Sequence, residues 1–533
     1  NVSGSNTVSG NLTLGSNARI GSTGGSLTVS GNVGGGANVF YVGGTGNSAI
    51  SGVISGAGAT DVTTTSLFKD GASTLTLSGN NTYTGDTRVV QGRLVVASGG
   101  SLGSGSDIFI SGSGAVLEVN TSTTVASVQE TGTSNGGELA IGSGATFTIN
   151  GANKGTLYQN TISGAGNLTM AGSGDTSLSL YGTQSYTGTT TVSGGKISTG
   201  VALATAGVTV NGGTFETSAA DILGNSATVS LSSGTYTLGG SDTVGSFSIT
   251  GGALGGSSTL TASTYALDGG TVTANLGAGT ATASSGTTAL GGTLGATTVN
   301  VSGGTLNLGS NDRLANGATV TVSSGELGMG TRTDTITTLN VSGGAVTGGS
   351  GNKLTATTYN LTGGTVSANL GAGTLNANSG SATLNGTADA TTVNVGGGAL
   401  TLGAASRLAS GAAVTISNSG TLTLGGNETI SSLSGSGGTL ALGANTISVG
   451  GGTFGSQITG SGNLVKTGSG TITLSGHNSM SGTTDIDGGA IALSGSGSLA
   501  SSSQINVGTG ATLDISGVTT SATVAALSEQ GSG

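Results

Sequence analysis

Apolar and polar residues alternate along short runs of this chain, and glycine-rich breaks separate the runs. From Ser73 to Val96 the sequence STLTLSGNNTYTGDTRVVQGRLVV alternates, stops at Gly79-Asn80-Asn81, and alternates again. The stretch VNVSGGTLNL at 299–308 is a clearer case. A period of two puts Val299, Val301, Leu306 and Leu308 on one face and their Asn and Thr neighbours on the other, which predicts two short strands with one core-facing side. The next strand of the same kind, Val320-Thr321-Val322, starts 21 residues after Val299 (320 less 299). That is a reasonable length for one rung of a solenoid with two or three strands and Gly-rich corners.

The pattern also repeats on two longer scales. Residues 67–96 (LFKDGASTLTLSGNNTYTGDTRVVQGRLVV) align without a gap on 464–493 (LVKTGSGTITLSGHNSMSGTTDIDGGAIAL), and a looser third copy runs from Leu168 to Ile197. A related lead-in precedes each copy, at Ile54, Ile162 and Ile458. In the middle of the chain Tyr265 matches Tyr359, the run ATTVNV at Ala296 matches that at Ala390, and Arg313-Leu314 matches Arg407-Leu408, all at an offset of 94 (359 less 265). Each turn is too short to bury its own apolar face, but stacked turns of similar sequence let every Val and Leu sit on its equivalent one rung away. The fold expected is all-β, a parallel β-helix (β-solenoid) forming a single elongated rod. About 25 rungs at roughly 4.8 Å would extend on the order of 120 Å. Four regions are expected: 1–66 as N-terminal rungs, 67–205 with two of the thirty-residue repeats, 206–448 as tandem units of about 94 residues, and 449–533 with the third repeat.

Composition supports this reading. Glycine accounts for 111 of 533 residues, proline and cysteine are absent, and only 6% of residues are charged. Glycine without a three-residue period excludes collagen, and 34% hydrophobic residues in alternating runs argue against a disordered linker. The lack of proline suits a chain whose backbone N–H groups are claimed by neighbouring strands. Without cysteine, neither a disulfide framework nor a thiolate metal site can form. A net charge of −10, spread along the chain, disfavours nucleic acid and anionic membranes as partners. No apolar run reaches the roughly 20 residues of a membrane helix, so no membrane insertion is expected of this segment. The chain begins at Asn1 with no initiator methionine or signal-type apolar region, and is read as a mature or processed piece.

The form L-x-K-x-G-x-G-T-L-T-L-S-G-x-N-x-Y-[TS]-G-x-T-x-[VI]-x-x-G-x-[LI], seen at Leu67 and Leu464 and more loosely at Leu168, resembles the passenger-associated repeat of bacterial autotransporters. The resemblance implies a right-handed coil, secretion across a Gram-negative envelope, and display on or shedding from the cell surface. It also implies a C-terminal translocator barrel, which this stretch of sequence does not contain.

Some β-helices are enzymes, and a few titratable residues of this chain are candidates for chemistry. Asp485 and Asp487, two residues apart, are expected on the same face of one strand, close enough to hold calcium or to serve acid/base hydrolysis. His477, the single histidine, replaces Asn80 of the first copy in a turn and reads as a solvated loop residue. A serine protease would need a nucleophile turn and a histidine base, and GSGDTS at Gly172 is not such a turn. Tyr83, Tyr186 and Met480 occupy matching places in the three copies and are expected to fill the core or its corners, with sugar stacking as the alternative. Thr74-Leu75-Thr76, Thr319-Val320-Thr321 and Thr471-Ile472-Thr473 raise an ice-binding alternative, although threonine also suits the solvent face of a strand. No catalytic, cofactor-binding or metal-ligating residue is therefore assigned, and no cofactor is expected. The function expected is a structural or adhesive surface rod. Its partners would be other copies of itself, through end-to-end or lateral association, together with surface glycans or other cells. A carbohydrate-active β-helix is the alternative.

Overall fold

The computed structural model describes residues 1–57, 65–130, 136–152, 160–519 and 524–529. Among these residues all regular structure is strand, and no helix occurs. Strand pairing between rungs is parallel throughout the ladders, making a parallel β-solenoid of about 25 turns. The chain divides into two compact units, 1–264 with 270–276 and 265–269 with 277–533.

In the first unit Leu75 pairs with Leu94, Leu94 with Leu117, Leu117 with Leu139, and Leu139 with Ile162. All five side chains are buried. Each inward residue packs on its counterpart one rung away, and burying a side chain of this size stabilises by roughly 1.5–3 kcal/mol. Stacking is thus what makes each rung stable, since a single rung has no second layer to cover it.

The second unit explains the 94-residue period. Leu339, Tyr359, Leu375, Val393, Val414 and Leu433 pair in succession, so the interval from 339 to 433 holds five rungs of unequal length. Val299 pairs with Val320, at the separation expected from the sequence, and Val299, Val301, Leu306 and Leu308 are all buried. Besides its two strands, a rung has a third contact point: Leu354, Leu370, Ala388 and Leu408 pair in turn as isolated bridges. This sets the cross-section at two strands and one short corner.

That corner carries an acid in each of the tandem units. Asp334 Oδ2 accepts the N–H groups of Arg313 and Leu314 at 2.8 and 3.0 Å. Glu428 does the same for Arg407 and Leu408, and Asp242 for Leu223. The guanidinium groups of Arg313 and Arg407 turn back onto backbone carbonyls, those of Asn311 and Gly291 and of Ala405 and Asn385 respectively. Just before each arginine, Asp312 and Ser406 take left-handed conformations, with φ of 52° and 54°. The corner leaves N–H groups without a strand partner, and the buried carboxylate supplies their acceptor. Burial pushes the Asp242, Asp334 and Glu428 carboxyls above their usual range, partly offset by these hydrogen bonds.

Candidate functional site

The residues singled out from the sequence do not form a catalytic constellation. His477 is exposed in its turn, where its backbone bridges to Ser498. Asp485 points outward from the strand Thr483–Ile486, and Asp487 lies exposed just past the end of that strand. The Asp485 carboxylate accepts from Asn506 Nδ2 at 2.5 Å and from Thr483 Oγ1 at 3.0 Å, and Ser528 Oγ in turn donates to Asn506. Asp485 is therefore one step of a polar ladder running across three rungs. Among the described residues no three His, Cys, Asp or Glu side chains gather as a metal site.

Tyr83, Tyr186 and Met480 are fully buried, which removes the sugar-stacking alternative for the two tyrosines. Tyr83 Oη hydrogen-bonds Thr87 Oγ1 at 2.7 Å, and Tyr186 Oη bonds Thr190 Oγ1 at 2.6 Å. The Tyr83 ring also explains Gly103, because a Cβ there would sit 2.0 Å from the Tyr83 carbonyl oxygen and 2.5 Å from its ring. The threonine pairs do not build a flat threonine face. Thr74 lies beside Arg93 and Thr76 beside Val95, while Thr471 and Thr473 lie beside Ala490 and Ala492. Thr319 and Thr321 lie between Thr298 and Asn300 on one side and Thr338 and Asn340 on the other.

Two buried polar devices inside the repeat gave no sign of their role in the sequence. Lys69 is completely buried, and its Nζ donates to the carbonyls of Asp70, Gly71 and Gln91 at 2.8, 2.7 and 3.0 Å. Lys466, at the same place in the second gap-free copy, donates to Thr467, Gly468 and Gly488 at 2.6, 3.0 and 3.1 Å. An ammonium has three donors, and here three corner carbonyls take them all. Burial lowers the Lys69 pKa to about 8 and lowers that of Lys466 as well. The second device is an asparagine. Asn81 Oδ1 accepts from Ile54 N–H and its Nδ2 donates to Ser101 O, while Asn478 bridges Ile458 and Ser498 in the same way. In the looser copy Gln184 accepts from Ile162 N–H. The lead-in isoleucines of the sequence are thus the residues that this amide ties to each repeat.

The outward positions differ from region to region. In the first unit one column of successive rungs reads Arg19, Tyr41, Phe68, Arg88, Phe109 and Gln129. The Tyr41 and Phe68 ring centroids are 5.1 Å apart with the planes tilted by 39°, and the Arg88 guanidinium lies 4.4 Å from the centre of the Phe109 ring. Elsewhere in that unit the equivalent column reads Thr124, Thr148, Thr169, Thr191, Thr209, Ser230 and Ser248. In the second unit Asn340, Asn360, Asn376 and Asn394 form an amide ladder, the Nδ2 of the last three each donating to the Oδ1 one rung back at 2.9 to 3.1 Å. The alternation marks all of these residues as outward. Which of them share a column was not legible, because rung lengths vary.

Residues 67–96 and 464–493 match the passenger-associated-transport-repeat family. The chain is also similar to the adhesin BmaC autotransporter of Brucella suis biovar 1 (strain 1330), with 38% identity over 135 residues. That stretch is 25% of this chain, and the chain spans only 4% of the length of that relative. No solved structure matches it. The two gap-free repeats, both set in a parallel β-solenoid, are thus passenger-associated-transport-repeats, and together with the adhesin relative they support an autotransporter passenger domain.

Proposed function

We propose that this chain is an adhesive, non-enzymatic β-solenoid secreted to the cell surface of a Gram-negative bacterium, where its lateral faces meet other cells or surface glycans. The observation that carries this reading is the contrast between a core repeated from rung to rung and outward columns whose chemistry changes along the chain. Long outward ladders of Thr, Asn and aromatic residues offer many weak, aligned contacts, as a binding surface requires. The relative named as an adhesin supports the same reading. Beads coated with the purified chain test it: adhesion to bacterial or host cells well above that of uncoated beads is expected, and equal retention overturns it.

The same reading extends to self-association. The rung at Thr512–Val518 and Val524–Glu529 leaves Ile515 and Leu527 exposed beside an open hollow of about 510 Å³. Further rungs would cover it, whether from the same polypeptide or from a second copy. Electron microscopy at rising concentration separates filaments built by end-to-end pairing from single particles. As to hydrolysis, Asp485→Asn together with Asp487→Asn is expected to leave polysaccharide digestion at the background of the unaltered chain. Digestion by the unaltered chain that the pair of changes abolishes would overturn the non-enzymatic reading.

A further inference from the structure

We propose that the outward column Arg19, Tyr41, Phe68, Arg88, Phe109 and Gln129 is a binding ridge for a linear, uncharged polysaccharide. The proposal rests on the adhesive reading above and gives it a site and a ligand class.

The first observation is segregation. The chain has 15 aromatic residues, 8 Tyr and 7 Phe. Of the described ones, all but Tyr41, Phe68, Phe109 and Tyr181 are buried. Three of those four stand in this one column, in rungs that pair directly with one another or with Arg88 between them. A core-driven fold has no need of large rings on its outer face, and aromatic groups gathered outside a core mark a contact surface.

The second observation is order. Tyr41 leans on Phe68, and Arg88 stacks on Phe109, so the planar groups hold one another in place before any ligand arrives. Little conformational freedom would then be lost on binding. The stacked rings present an apolar ridge, and polar groups edge it. Gln129 uses one N–H on Ser127 Oγ at 2.9 Å and keeps its carbonyl and second N–H. Apolar C–H surface beside hydroxyl groups is the chemistry of a sugar chain, and it complements such a ridge.

Charge and size narrow the ligand. Arg19 pairs with Asp70 at 2.5 Å and Arg88 lies 3.9 Å from Asp86, so the ridge carries no net charge. The chain as a whole carries −10. A polyanion such as single-stranded nucleic acid needs an electropositive groove beside its stacking rings, and none is built here. Six rungs at about 4.8 Å give a ridge roughly 24 Å long and one side chain wide. Its area falls far short of the roughly 800 Å² each partner contributes to a stable protein complex, but its shape suits an extended chain. The corresponding column of the second gap-free repeat reads Ser448, Val465, Asp485, Asn506 and Ser528, with neither ring nor cation. It serves as a control within the same molecule.

Affinity electrophoresis of the whole chain in native gels containing soluble β-glucan, xyloglucan or galactomannan tests the proposal. Retardation by at least one of these polysaccharides is expected. Tyr41→Ala with Phe68→Ala should weaken it about tenfold, Arg88→Gln severalfold, and Val465→Ala not at all. Circular dichroism checks that the double variant folds, and Phe68→Leu supplies the comparison if it does not. Retardation unchanged by loss of the rings, or binding of a single-stranded oligonucleotide in place of the polysaccharides, overturns the proposal. Beads that adhere to cells although no polysaccharide retards the chain overturn the ridge and leave the adhesive reading standing. Retardation without bead adhesion does the reverse.

Discussion

The repeats at 67–96 and 464–493 can be compared position by position. Inward, Leu67, Lys69, Leu75, Leu77, Thr87 and Leu94 become Leu464, Lys466, Ile472, Leu474, Thr484 and Ile491, all buried. Outward, Phe68 and Arg88 become Val465 and Asp485, neither buried. Inward residues touch their counterparts in the rungs on either side, so a change must be matched above and below it. An outward residue meets solvent and one column of neighbours, and is free to acquire a different chemistry. The looser copy shows how far the inside can drift. Met170 stands where the other two have lysine, and Thr176 lies in a stretch two residues longer than theirs (178 less 168 is 10, against 75 less 67, which is 8), its hydroxyl within 2.6 Å of Gly151 O and 2.7 Å of Ser173 O.

This comparison is broken most severely by removing the buried ammonium. Lys466→Ala leaves three corner carbonyls without their donor and is expected to destabilise the surrounding rungs by about 3 kcal/mol or more. Hydrogen exchange should show amides near 464–493 losing protection while distant rungs keep theirs, because solenoid rungs couple mainly to their neighbours. Lys466→Met should cost nearly as much, since a thioether has no N–H to give the three carbonyls. Asn478→Ala removes the tie to Ile458 and is expected to cost about 2 kcal/mol, read by the same exchange pattern.

The pH dependence separates the repeats from the tandem 94-residue units. Asp242, Asp334 and Glu428 are raised by burial, so the folded chain binds protons that the unfolded chain has released, and stability falls as pH rises through the raised values. Acidifying from neutrality towards about pH 4, where the unfolded carboxyls titrate, should therefore raise the urea midpoint, and Asp334→Asn should reduce the gain. Lys69 has the opposite sign. Its folded pKa of about 8 lies below the ordinary lysine value of 10.5, so stability around that repeat grows as pH rises between those values. The smallest stability effect is expected outside. Val465→Phe with Asp485→Arg copies the aromatic and cationic pair onto the second repeat and should change stability by no more than about 0.5 kcal/mol. On the ridge assignment, it should also increase polysaccharide retardation.

What the sequence determined by itself was the inside of the molecule. Period-two alternation names Val299, Val301, Leu306 and Leu308 as core, and the gap-free repeats and the 94-residue offset mark stacked rungs, because burial and stacking both act on every rung alike. The tertiary structure decided what depends on register between rungs. Unequal rung lengths hide from the linear chain that Tyr41, Phe68 and Arg88 are successive neighbours, and that Asp485 belongs to a polar ladder shared with Asn506. They also hide that Lys69 turns inward to cap carbonyls from two rungs. Apart from the two carbonyls just after Lys69, those contacts join residues some 20 or more positions apart, and only the stacked backbone, holding each strand alongside the last, brings them together.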